Sequence, residues 1–233
     1  MTRGFSTREI ETRGTPLAVE LRRSASSRAI GGLAAVFGKR SQNLGGFVEV
    51  VEKSAFSQSQ GHGFPGVVCR FEHETLLGTT ASGTLQLRTN EHGLDYTVDV
   101  PLSRQDVLEL VERGDIRNSS FSFQVYDQEW RHDAGFPVRH LVSVRLIDTA
   151  PVTIPAYEDA TVALRSLGIQ FDAPAEEIFD MARDHELSKL FVRTDNRGCK
   201  PKTPHQALVE LMEETTHEKR CRTWHRGIRP RWN

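Results

Sequence analysis

Long apolar runs are absent from this sequence of 233 residues. No stretch reaches the roughly 18 apolar residues that a membrane-spanning helix needs, which argues against an integral membrane protein. An excess of charge of one sign is also missing, because 30 Lys and Arg face 31 Asp and Glu. This balance argues against a protein that binds nucleic acid with its whole surface. The first residues are charged and polar, unlike a secretory signal.

Cysteine is scarce, and the three cysteines Cys69, Cys199 and Cys221 lie far apart in the sequence. The odd number and wide spacing predict no disulfide framework, which fits a reducing cytosol. Near the C-terminus, Cys199, His205, Cys221 and His225 alternate in a way that suggests zinc ligands. The close Cys pair of ordinary structural zinc sites is missing, so no metal is expected.

Composition divides the chain into three segments. Residues 1–28 form an Arg-rich N-terminal arm with at most one short strand, and residues 29–168 carry the strand patterns of a folded domain. Residues 169–233 combine an acidic helix over about 172–191, a polar linker, a second helix and a basic end. Charged segments with few apolar residues bury little surface, so this last segment is predicted to be an appendage that is dispensable for chemistry.

Hydrophobic patterning predicts a mainly β domain of the α+β class. Strands that are not separated by regular helices favour a closed or strongly curved antiparallel sheet, a β-barrel of about seven strands with surrounding helices. Residues 84–88 and 94–100 are expected to pair as a hairpin, and Pro151 and Pro155 are expected to end the last strand. The predicted strands are residues 30–38, 47–51, 67–71, 84–88, 94–100, 121–125 and 138–147.

One helix is predicted between the strands. Ser103 to Asp106 has the form of a capping box, Val107 and Val111 continue an apolar stripe, and Gly114 is a natural stop.

Two places could carry chemistry. His73 lies between two glutamates after an apolar strand, and Ser120 opens an alternating Ser-Phe-Ser-Phe strand after the helix stop. A serine hydroxyl becomes a nucleophile beside a base such as His, and a third group fixes the tautomer of that base. Alternation along residues 142–148 puts Asp148 on the face of Val144 and Leu146, toward the interior, as a candidate third group. The same residue types also occur in turns and strand caps without any catalytic role.

Several blocks in order are similar to one protein family. The chain from about Arg8 to Arg165 resembles the prohead proteases of tailed bacteriophages, which are serine endopeptidases. The blocks that carry the resemblance are residues 30–38 (IGGLAAVFG), 41–47 (SQNLGGF), 49–56 (EVVEKSAF), 71–73 with 77–78 (FEH and LG), 83–87 (GTLQL), 114–116 with 120–123 (GDI and SFSF) and 146–157 (LIDTAPVTIPAY).

The resemblance implies site residues. The family's His falls on His73 and its nucleophile on Ser120, with Ser119 and Ser122 as neighbouring competitors. The family usually has Glu near Asp148. Herpesvirus assemblin proteases, which are thought to share the barrel fold, use a second His as the third member. The resemblance therefore leaves four histidines as alternative third members, with His140 on the strand that leads to Asp148 as the best of them; the others are His62, His92 and His132. Arg139 and Arg145 are weaker candidates for oxyanion stabilisation.

The resemblance also implies a function. Such an enzyme cleaves scaffold segments from the major capsid protein, and also itself, inside the procapsid in the bacterial cytoplasm, without a cofactor or a membrane. It acts by peptide hydrolysis through an acyl-enzyme. The alternative function is a non-catalytic, protease-like assembly factor that binds the capsid.

Overall fold

The computed structural model describes residues 9–22, 28–154 and 161–191. The possible zinc ligands and the basic end of the chain lie outside these residues. The described part contains ten strands and four α-helices, with short 3-10 turns at Leu102–Arg104 and Leu187–Leu190. The strands are β1 (Glu11–Thr15), β2 (Glu20–Arg22), β3 (Ala29–Val36), β4 (Val48–Val51), β5 (Val68–Phe71), β6 (Thr75–Thr79), β7 (Leu85–Thr89), β8 (Gly93–Asp99), β9 (Asn118–Asp133) and β10 (Phe136–Val152). The helices are α1 (Ser57–Gly61), α2 (Gln105–Arg113), α3 (Thr161–Phe171) and α4 (Ala175–Arg183).

The strands form two sheets. The larger has the order β1-β9-β10-β5-β6, with β4 also paired to β10, and the smaller has the order β2-β3-β8-β7. Strands β4 and β5 run parallel to β10, whereas the other named pairs are antiparallel. The mainly β, α+β class is confirmed. The expected barrel is not: the strand pairings of the described residues form two sheets and no closed barrel.

The main core lies between the two sheets. Side chains of β3 and β8, such as Ile30 and Val98, meet Phe121, Phe123 and Val125 of β9 in one buried cluster. Strict alternation along β9 therefore turns its odd-numbered residues inward in this region and its even-numbered residues to the opposite face of the larger sheet.

Most predicted strands are present. The expected hairpin is β7 and β8, which pair antiparallel over their whole length. Strands β9 and β10 are much longer than expected. Pro151 does not end β10, because it lies within the strand opposite Ser119. Its missing N–H is tolerated there, and its carbonyl accepts a hydrogen bond from the backbone N–H of Glu72.

The predicted helix is α2, and it ends at Gly114, whose φ of 80° is the left-handed conformation that glycine adopts freely. The predicted capping box is wrong, because no side chain caps the helix. Asp106 pairs instead with Arg104, through two hydrogen bonds of 3.0 Å.

The predicted N-terminal arm and the predicted C-terminal appendage both contribute elements to the folded structure. Strand β1 lies in the supposed arm, yet it pairs with β9 in the larger sheet. The boundary at residue 168 falls inside α3, and α3, α4 and the last 3-10 turn pack in a second apolar cluster with Trp130 of β9. Leu167, Ile178 and Leu187 are fully buried there. Residues 169–191 are therefore part of the fold, because most of their large apolar side chains pack in this cluster.

Candidate active site

His73 lies on a tight turn between β5 and β6. Glu72 and His73 have φ values of 54° and 60°, and the N–H of Glu74 donates to the carbonyl of Phe71 at 3.0 Å. Two consecutive left-handed residues are the geometry of a type I′ hairpin turn, which usually contains Asn and Gly. Left-handed backbone is unfavourable for Glu and His, so tertiary contacts must hold this turn.

Glu72 supplies those contacts. Its backbone N–H donates to the carbonyl of Pro151 at 3.2 Å, and its Oε1 accepts from the N–H of Thr153 at 2.8 Å. The turn is therefore held at the end of β10. The imidazole of His73 then extends over β10, where Nδ1 lies 2.8 Å from Oδ1 of Asp148.

A β-bulge directs Asp148 to this position. Leu146 pairs with Phe123, and Asp148 pairs with Ser122, so Ile147 is the extra residue of β10. Leu146 faces the core, whereas Asp148 faces the opposite side with Ser122. The prediction that the two share a face is therefore wrong. Bulges change the direction of side chains in this way and are frequent beside active sites.

Asp148 is a nearly buried carboxylate with three hydrogen-bond donors. Oδ2 accepts from Nη1 of Arg70 at 3.0 Å, and His73 and Ser122 also bond the carboxylate. Burial by itself raises the pKa of Asp148. The hydrogen bond and charge of His73, with the hydrogen bonds from Ser122 and Arg70, outweigh burial and hold that pKa below its usual value. Asp148 is therefore ionised at neutral pH.

The two candidate serines occupy the same face of β9, one pleat apart. Oγ of Ser122 lies 3.3 Å from Nδ1 of His73 and 3.1 Å from Oγ1 of Thr12. Oγ of Ser120 donates to the carbonyl of Arg13 at 3.0 Å, and the residue is fully buried. The structure thus brings His73, Asp148 and Ser122 into contact, and it places Ser120 beside them without a hydrogen bond to His73.

The alternative third members lie elsewhere. Nδ1 of His140 bonds Oε1 of Glu52 at 2.6 Å, on the part of β10 that pairs with β4. Eight residues of strand separate it from Asp148, on the order of 25 Å. His132 stacks on Phe191 at a ring-centroid distance of 5.5 Å. In the described structure, His62 and His92 also make no hydrogen bond to His73 or Asp148.

The remaining sequence candidates have other partners. Oγ of Ser119 lies 3.2 Å from the hydroxyl of Tyr96 in the core. Arg139 contacts Glu11 and Glu49 at 2.6 and 2.8 Å, so its guanidinium is already paired with two carboxylates. Arg145 is exposed on the same face as Ser122, because it pairs with Gln124.

Comparison with known proteins identifies the family of the chain. Residues 16–171 match the caudovirus prohead serine protease family. The chain belongs to that family. The matched range includes His73, Ser120, Ser122 and Asp148. No curated protein and no solved structure matches the chain. The likeness to herpesvirus assemblin proteases therefore stays a prediction.

The contacts of His73 can be compared with those of a Ser-His-Asp triad. A serine protease needs an imidazole whose Nδ1–H is held by an acid and whose Nε2 is free to take a proton. Here Nδ1 of His73 faces Asp148, and Nε2 is buried without a hydrogen-bond partner.

None of the described helices is long and apolar enough to span a membrane.

Sequence reasoning missed two residues of this candidate site. Arg70 holds the carboxylate of Asp148, and Glu72 holds the turn that carries His73. Their positions beside His73 in the sequence were visible, but nothing in the sequence shows that β5 and its turn meet the end of β10. That pairing joins residues about 80 positions apart.

Proposed function

We propose that this chain is a procapsid maturation protease in which His73 is the general base, Asp148 orients it, and Ser120 is the nucleophile. Its substrates are the scaffold segments of the major capsid protein and the chain itself. The observation that carries the proposal is the 2.8 Å contact between Nδ1 of His73 and Oδ1 of Asp148, with Nε2 left without a partner.

The contact with Asp148 bears on which serine reacts. Nδ1 has a single in-plane position for a proton or a lone pair. If that position holds the proton donated to Asp148, Nδ1 cannot also accept a proton from Ser122. The hydroxyl of Ser122 is then a further donor to Asp148, and a nucleophile must approach Nε2 instead.

Of the two candidate serines, Ser120 fits this geometry better. The turn of His73 is held at Pro151, and its ring reaches Asp148, so the ring covers the part of β10 that pairs with residues 119–122 of β9. Ser120 lies in that stretch, about 7 Å along the strand from Ser122. Rotation of its side chain away from the Arg13 carbonyl gives up one neutral hydrogen bond, about 1 kcal/mol.

The reaction is then acyl transfer. Nε2 of His73 takes the proton of Ser120 while Oγ bonds the scissile carbonyl carbon. The C–N bond breaks as that proton passes to the leaving amine, and a water molecule repeats the sequence to release the acid. Asp148 stays ionised and stabilises the imidazolium that forms in each half-reaction.

Co-expression with the major capsid protein of the same phage, followed by the intact masses of both chains, tests the proposal. The wild type should truncate the capsid protein at one defined position. Ser120→Ala should abolish truncation, and Ser122→Ala should slow it. Ser54→Ala is the control: it removes an exposed serine far in the sequence from Ser120 and Ser122, and it should leave truncation unchanged.

Three outcomes would count against the assignment. Loss of cleavage in Ser122→Ala with normal cleavage in Ser120→Ala would make Ser122 the nucleophile. Normal cleavage in His73→Ala would remove the triad. No truncation by the wild type, with stable binding to the capsid protein, would support the non-catalytic assembly factor.

A further inference from the structure

A small cavity lies beside the part of β10 that carries Arg145. Its volume is about 80 Å³, and its lining includes Ser59, His62, Val67, Tyr126, Arg145 and Leu146. The cavity contains one permanent positive charge, Arg145, together with a phenol and an imidazole. No Asp or Glu is among its lining residues.

Arg145 forms no ion pair with any carboxylate of the described residues. The part of the chain that the structure describes contains many Arg ion pairs, including those of Arg70, Arg139 and Arg165, but none that involves Arg145. Arg145 is solvent-exposed and lies on β10, where it pairs with Gln124 of β9 between two irregularities of the strand pair. An unpaired guanidinium beside a phenol hydroxyl is suited to bind a carboxylate, because guanidinium donors match its two oxygens.

The register of β9 and β10 places this charge at a defined distance from the reaction. Asp148 pairs with Ser122, and Arg145 pairs with Gln124, two residues further along β9. These two residue pairs are about 7 Å apart along β9, and Ser120 and Gln124 are about 14 Å apart. Side chains on one side of an extended substrate peptide are about 7 Å apart. A substrate residue that reaches Arg145 therefore lies two to four positions from the scissile bond.

We infer that Arg145, with Tyr126 and His62, forms a specificity subsite that binds the side-chain carboxylate of an acidic residue two to four positions from the scissile bond. This inference rests on the proposed function. It adds a substrate class: prohead segments with Asp or Glu at one fixed distance from the cut.

Kinetics on capped peptides test the subsite. The peptides span the cut site found by mass analysis, and both ends are blocked, so that only side chains supply carboxylates. Each position up to five residues on either side is set to Glu, Gln or Lys, and kcat/KM is measured for every peptide.

At one position the wild type should cleave the Glu peptide about tenfold faster than the Gln peptide, a typical effect of one charge-assisted hydrogen bond. Arg145→Ala should lose this preference, and Arg145→Glu should prefer Lys there. Arg131→Ala is the matched control, because Arg131 is an exposed arginine of β9 that pairs with Glu129, and it should behave like the wild type.

The outcomes separate the subsite from the protease. Cleavage by the wild type without any preference for Glu would overturn the subsite alone, as would an unchanged preference in Arg145→Ala. Absence of all peptide and capsid cleavage by the wild type would overturn the proposed function and the subsite together. Thermal melts of the Arg145 variants should match the wild type, since the side chain is exposed and unpaired with any acid.

Discussion

Replacement of Asp148 by Asn tests whether this carboxylate orients His73. The substitution keeps the shape of the side chain and removes one negative charge at a site that is 3% exposed. An Asn amide can donate to Nδ1 of His73, which favours the tautomer with its proton on Nε2. That tautomer cannot accept a proton from serine. We expect kcat/KM to fall on the order of 10³- to 10⁴-fold while residual activity remains.

The same variant should be moderately less stable. A charged acceptor contributes about 1.5–3 kcal/mol per hydrogen bond, and a neutral one contributes about 0.5–1.5 kcal/mol. The introduced amide would still satisfy part of the contacts, and Arg70 is partly exposed to solvent, so the loss should be about 1–2 kcal/mol. In a chain of this size that lowers Tm by about 2–8 °C.

The stability difference should depend on pH in one direction. Burial raises the pKa of Asp148, but His73, Ser122 and Arg70 together lower it below its usual value. A carboxyl group of this kind stabilises the fold fully above its unfolded pKa, about 3.9 for Asp, and loses that contribution as pH falls through the lower folded pKa. The Tm difference between wild type and Asp148→Asn should therefore be constant near neutral pH and shrink below about pH 4.

Cleavage of the capsid protein and thermal melts of purified chains provide the assay. Asp180→Asn is the control, because Asp180 is an exposed acid paired with Arg183 on α4. A normal rate in Asp148→Asn, together with an inactive His140→Ala, would refute the reasoning and favour a Ser-His-His arrangement. The contact between His73 and Asp148 would then be structural only.

Three other changes test the base, the C-terminal helices and the buried ion cluster. His73→Ala should remove activity, because the general base is lost, as steady-state rates would show. A chain that ends after Phe191 should stay folded and active on peptides, whereas one that ends at Gly168 should aggregate or melt far lower; equal melts would refute the packed role of the C-terminal helices. Arg139→Met should lower the free energy of unfolding by about 3–5 kcal/mol, measured by urea unfolding, because the buried carboxylates of Glu11 and Glu49 lose a positive partner. A loss below about 1 kcal/mol would contradict this.

Local sequence was enough for much of the secondary structure. Hydrophobic patterning predicted strands at β3, β5, β7 and β8, and the left-handed preference of glycine predicted the end of α2 at Gly114. These features depend on neighbours within a few residues. The short strand β6 was missed because Thr75–Thr79 directly follows the hairpin turn and has little alternation of its own.

Residue chemistry also suggested His73 and Asp148 as partners, and the structure places them in contact. The alternation argument that put Asp148 on the face of Leu146 was wrong, because a regular strand would have turned Asp148 toward the core. The bulge at Ile147 reverses that direction, and a bulge depends on how two strands pair rather than on one strand's pattern.

What the sequence by itself determined is therefore the kind of chain: mainly β, with a Ser-His-Asp set and the blocks of a prohead protease. The tertiary structure decided which groups meet. It brought Arg70 and Glu72 to the end of β10, put the hydroxyl of Ser122 beside Nδ1 of His73, and drew that of Ser120 to the Arg13 carbonyl. Contacts between residues about 50 to 110 positions apart depend on strand order and register, and these are set by burial of the whole core.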